Sequence, residues 1–162
     1  MREITDRTSD TALVVNAFRR IMRRLRLAAG ETQSALGISA AQLYVLRQLT
    51  GGEALSISEL ANRTLTDRTS VAAVVEKLVA QRLVARSTSR DDRRRAEVRI
   101  TTRGQRLLHA AAPAPTTLLV SALERLPASE LQLLARGLSQ LVTEMGLAAT
   151  PPSMLFEEEL AR

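Results

Sequence analysis

The chain has 162 residues, 45% of them hydrophobic and 25% charged, a composition that supports one compact domain with helical extensions and excludes a disordered tail. Its net charge of +6 is compatible with a polyanionic partner, and the lack of cysteine excludes disulfides, zinc ribbons and thiol-based redox sensing. No signal-type apolar run opens the chain, and no stretch approaches the roughly 18 apolar residues that span a bilayer, so a soluble, cytoplasmic protein without membrane contact is expected.

Val14, Phe18, Ile21 and Leu25 recur at steps of four, three and four, which predicts a first helix over about 8–30, capped by Ser9 or Asp10, with one stripe buried. Arg19, Arg20, Arg23, Arg24 and Arg26 fill much of its other surface. Such a run suits a membrane-surface helix, but a solvated face is its commoner meaning. In SAAQLYVLRQL, Ser39 and Gln42 stand at capping-box spacing, Leu43, Leu46 and Leu49 point inward, and Gly51-Gly52 stops a second helix.

Ser56 and Glu59 repeat the capping-box spacing ahead of a short helix to about Arg63. A break at Thr64 to Thr66 then leads into a longer helix from Asp67 to about Ala80. Two helices about a three-residue turn form a helix-turn-helix candidate, a motif that also serves purely structural ends. Ile57, Leu60, Ala61, Leu65, Val71, Val74, Leu78 and Val79 supply its expected core; Arg68, Thr69, Ser70, Ala72, Ala73 and Lys77, the only lysine, include its outward face. Small and polar side chains at the start of the second helix suit entry into a major groove.

The stretch Arg86–Thr101 concentrates six arginines and three acidic residues in sixteen positions. Leu83 to Thr88 and Ala96 to Thr101 read as two strands, the second with Val98 and Ile100 on one side and Glu97 and Arg99 on the other. A hairpin directly after a helix-turn-helix is the wing of a winged helix. Its tip, with Arg90, Arg93, Arg94 and Arg95, is placed to reach phosphates or a minor groove, and Asp92 can orient an arginine. A solvated hairpin with charges guarding its edges would show the same alternation.

From Thr102 onward the apolar spacing is helical, interrupted at AAPAPTT, where Pro113 and Pro115 must kink or break the helix. A last helix follows Pro127, with Leu131, Leu134, Leu138, Leu141 and Met145 forming a narrow seam. Terminal helices with this much apolar surface favour pairing with a second copy. The tail, 147–162, reads as a loose end in which Met154, Leu155 and Phe156 are available to dock.

Catalysis has no visible constellation. His109 is the sole histidine, no carboxylate pair stands beside it, Gly51-Gly52 is not a phosphate loop, and metal ligands are missing. No enzyme, metal or cofactor is expected. With two phenylalanines, one tyrosine and no tryptophan, any ligand pocket is mostly aliphatic, and stacking on a ligand would fall to Phe18 or Tyr44.

The run SISELANRTLTDRTSVAAVVEKLVAQRLVARSTSRDDRRRAEVRITTRG resembles the MarR family of bacterial transcription regulators. The likeness lies in the S-x-x-E-L-A helix, the recognition helix, the D-x-R of the wing at Asp92 and Arg94, and the threonine and glycine at Thr101 and Gly104. The resemblance implies a mainly α fold with a small β-hairpin: a winged helix-turn-helix lobe over about 35–101, with dimerisation helices at about 8–30 and 102–146. It implies a homodimeric transcription regulator, a repressor that binds a palindromic operator in double-stranded DNA and is released by a small-molecule effector bound between the dimer helices and the winged lobe. It further implies that Asp92 braces the wing, Arg94 enters a minor groove, and Arg68, Thr69 and Ser70 contact bases and phosphates. Three residues depart from the family pattern: Arg82 stands where glycine usually ends the recognition helix, Ala72 and Ala73 replace more polar residues, and the proline pair falls in what is normally one long helix. The reading from a different class is a winged-helix module that binds an acidic protein surface and no DNA.

Overall fold

In the computed structural model, residues 2–88 and 96–157 are described. The order is α1 (Arg2–Leu36), α2 (Ala40–Gln48), β1 (Leu55–Ser56), α3 (Ile57–Thr64), α4 (Arg68–Ala80), β2 (Val84–Thr88), β3 (Ala96–Ile100), α5 (Thr102–His109), α6 (Pro115–Glu124) and α7 (Ala128–Glu144). The mainly helical fold with a small antiparallel sheet is the winged-helix arrangement expected from the sequence.

Both capping boxes form as spaced: Ser39 Oγ accepts from Gln42 N while Gln42 Oε1 accepts from Ser39 N, and Ser56 and Glu59 exchange the same pair of bonds. Together with α4, these helices bury Leu43, Leu46, Leu49, Leu60, Val71, Val74 and Leu78 in one cluster, closed by Leu83, Val98 and Ile100. β3 lies between the other two strands, with Leu55 opposite Val98 and Val84 opposite Ile100. The two-residue β1 is too short to announce itself by alternation, and its edge position follows from where α3 must begin.

The first helix differs from its expected limits. It starts well before Ser9 and Asp10, which therefore cap nothing, because no proline or glycine interrupts the residues ahead of them. It also runs through Gly30 and ends at Gly37, whose φ of 67° is the left-handed turn that glycine takes without steric penalty. Nor is its stripe buried within one chain. Leu25 is, but Val14, Phe18 and Ile21 are exposed, as are Leu131, Leu134, Leu138, Leu141 and Met145 of α7.

Pro113 and Pro115 divide the following helix outright. α5 ends at His109, and Pro115 stands at the first position of α6, where its missing N–H removes nothing from the helix. In an unbroken helix that N–H would have served the carbonyl of Ala111. Arg47 of α2 takes its place, its Nη2 donating to the carbonyls of Ala111 at 2.9 Å and Ala112 at 2.8 Å. No helix among the described residues is long and apolar enough to cross a membrane.

Candidate nucleic-acid interface

The turn between α3 and α4 carries its own geometry. Leu65 adopts the left-handed conformation at φ 56°, the N–H of Thr66 donates to the carbonyl of Ala61 at 3.1 Å, and Asp67 caps α4. Asp67 Oδ1 accepts from Ser70 N at 2.9 Å and Thr69 N at 2.8 Å. The hydrogen bonds from Ser70, backbone first and hydroxyl second, hold its carboxyl below the ordinary value of 3.8. Leu65, expected in the shared core, is instead 76% exposed. The left-handed turn rotates its side chain out of the helical period that placed it inside.

The exit from α4 is equally specific. Arg82 has φ 59°, so an arginine occupies the left-handed position that its departure from the family pattern pointed to. The N–H of Leu83 donates to the carbonyl of Leu78 at 2.9 Å, closing the helix. The Thr101 hydroxyl donates to the carbonyls of Arg82 and Leu83 and accepts from Gly104 N, which locks the wing's end against the recognition helix. A Cβ on Gly104 would overlap the Leu83 carbonyl and lie 2.8 Å from Ile100 Cγ1, so this contact requires glycine.

Among the residues expected to meet DNA, Arg68, Thr69 and Lys77 are exposed on α4, and Ala72 and Ala73 are half-buried between them. Ser70 is 8% exposed and turned into the protein. Arg90, Asp92, Arg93, Arg94 and Arg95 lie outside the described residues. Of the arginines in the strands, Arg99 donates to the Gly52 carbonyl, and Arg86 lies 3.8 Å from Glu76 on the outer face of α4. Both thus have structural partners, and the exposed cations of α4 are Arg68 and Lys77. The sequence reading did not place Glu76 or Thr66 at this face. Glu76 stands four residues after Ala72, and that spacing is a signal that would have found it.

The two aromatic candidates for a ligand do not share a site. Phe18 is 41% exposed on α1, and Tyr44 is buried against α6, its hydroxyl pKa raised by burial and then by the Glu124 carboxylate. A cavity of about 220 Å³ lies elsewhere, between α1 and the α5–α6 break, lined by Arg24, Glu31, Thr32, Ala112, Pro113 and Leu118 among others. Neither aromatic lines it. Among the described residues no group of three or more histidine, aspartate or glutamate side chains is placed to hold a metal ion.

Residues 36–95 match the model of the MarR family. Comparison with curated proteins finds no match. Among solved structures, the chain is similar to the transcriptional regulator BldR from Sulfolobus solfataricus, at 25% identity and a TM-score of 0.56 over 85% of this chain and 97% of that one. It is similar to BpsR of Bordetella bronchiseptica, whose DNA binding is regulated by 6-hydroxynicotinic acid, at 27% identity and a TM-score of 0.53 over 83% of this chain and 98% of that one. Apo MarR of E. coli has the same fold at 23% identity and a TM-score of 0.53, over 78% and 95% of the two chains.

Proposed function

From the match of residues 36–95 to the MarR family model and the likeness to the regulators BldR and BpsR, we propose that the chain is a MarR-family, homodimeric, non-catalytic transcription regulator. It binds a palindromic operator as a repressor and is released by a small acid. The observation that carries this reading is the joining of an exposed recognition-helix start, Arg68 and Thr69, to a hairpin whose tip contains Arg90, Arg93, Arg94 and Arg95. Helix and wing are tied together through Thr101 and Gly104, so the helix can enter a major groove while the tip follows the flanking backbone.

Two features support the rest of the reading. The apolar stripes of α1 and α7 are exposed in a single chain, which is the surface a second copy would cover. The cavity at the α5–α6 break is small, partly apolar and beside Arg24, which suits a compact acid of the kind that regulates BpsR.

The test is a pair of substitutions. Arg94→Ala should weaken specific and nonspecific duplexes alike and flatten the slope of log affinity against log salt by about one charge, whereas Arg68→Ala should weaken chosen sites more. Unchanged affinity in both variants at physiological salt would overturn the reading in favour of a module that binds proteins.

A further inference from the structure

Residues 152–157 do not hang free. Met154 is 6% exposed and belongs to the core cluster of the winged lobe. On one side of it, the Thr66 hydroxyl donates to the Pro152 carbonyl at 2.7 Å; on the other, Lys77 Nζ lies 3.5 Å from the Glu157 carbonyl. The tail therefore runs beside α4 in the helix's own direction, from the turn that precedes it to its last turn.

That path coincides with one stripe of the recognition helix. Ser70, Ala73 and Lys77 follow at steps of three and four and so share a face of α4, and Thr66 lies in the turn just ahead of the helix. Two of them hold the tail, Ser70 is 8% exposed and Ala73 is half-buried. A hydroxyl at the helix start and an ammonium on its outer face are donors that a DNA backbone would claim. Here carbonyls of the same chain engage them.

We propose that residues 151–157 are an autoinhibitory strap: they occupy the Thr66–Lys77 stripe and must leave it before α4 can seat in a major groove. The inference rests on the DNA-binding reading above. The strap and DNA compete for one surface, so apparent affinity is reduced by the fraction of molecules in which the strap is undocked. Because the strap is tethered, its docking does not depend on protein concentration, and anything that captures the tail would raise DNA affinity without touching DNA.

Binding to a fluorescent random-sequence duplex of about 30 base pairs at fixed salt tests this. The full chain is compared with a chain ending at Thr150, with Met154→Ser, and with Pro151→Gly/Pro152→Gly, which loosens the strap at two exposed positions and leaves the core intact. The truncated and Met154→Ser proteins should bind about tenfold more tightly, and the double-glycine protein about two- to threefold. A peptide of residues 147–157 added to the truncated protein should restore the weaker binding. Unchanged or weaker binding by the double-glycine protein, with no effect of the peptide on the truncated one, would overturn the strap. If none of the proteins, the full chain included, bound any duplex, the DNA-binding reading itself would fall and the strap with it.

Discussion

Arg82 and Asp67 bracket the recognition helix, and each is a single residue whose conformation or charge can be tested. An arginine at φ 59° holds a conformation that costs a residue with a Cβ about 1 kcal/mol or more, with no such penalty for glycine. Arg82→Gly should therefore raise stability by roughly 0.5–1 kcal/mol in urea unfolding, the relief of strain being partly offset by the freer unfolded chain. A loss of stability would mean that the arginine side chain has a role its exposed position does not suggest. At the other end, the Asp67 carboxyl is depressed below 3.8 by the Ser70 hydrogen bonds. Its stabilising effect is thus complete above the unfolded value and is lost as pH falls through the lower folded value. Asp67→Ala should lower the melting temperature clearly at pH 7, and the gap from the parent protein should close as pH falls below 3.8 through the lowered range of the carboxyl. A gap of constant size across that range would show that the cap does not act through its charge.

The joint between α5 and α6 is the element most open to perturbation. Arg47 donates to the Ala111 carbonyl, which Pro115 leaves unserved, and to the Ala112 carbonyl beside it, so Arg47→Met should cost about 2 kcal/mol in urea unfolding and loosen the wall of the Arg24 cavity. Stability equal to the parent's would place the support of that joint elsewhere. The prolines themselves were legible in the sequence, as were α2, α3 and α4, because capping boxes and leucine periods are local signals that the three-dimensional structure reinforces. β1 was not, since two residues carry no period, and Leu65 was misplaced because a left-handed turn breaks the period that assigned it to the core. The extent of α1 was hidden as well. Gly30 resembles a helix end in sequence, but the helix tolerates it and stops only at Gly37. Met154, Leu155 and Phe156 gave an apolar signal without an address: the sequence offers three residues to dock, and only the fold says that Met154 is the one buried and against what.

At the scale of the whole molecule, the unresolved balance is apolar surface. A periodic stripe marks burial in the sequence without telling the inside of a fold from the inside of an assembly, and the stripes of α1 and α7 are exposed in one chain. Light scattering at micromolar concentration should give about twice the chain mass of 17.7 kDa, and Leu138→Glu, in the α7 seam, should reduce it towards one. A parent protein that is cleanly monomeric would contradict the pairing. If two copies present their recognition helices together, those helices must be about 34 Å apart to enter successive major grooves on one side of the duplex. Selection from a pool of random duplexes by the full chain, followed by a count of chains per selected duplex, tests both the DNA binding and the symmetry at once. It should yield an imperfect palindrome with half-sites about 10 base pairs apart, centre to centre, and two chains on each duplex; a pool that shows no enriched sequence, or one chain per duplex, would contradict the account.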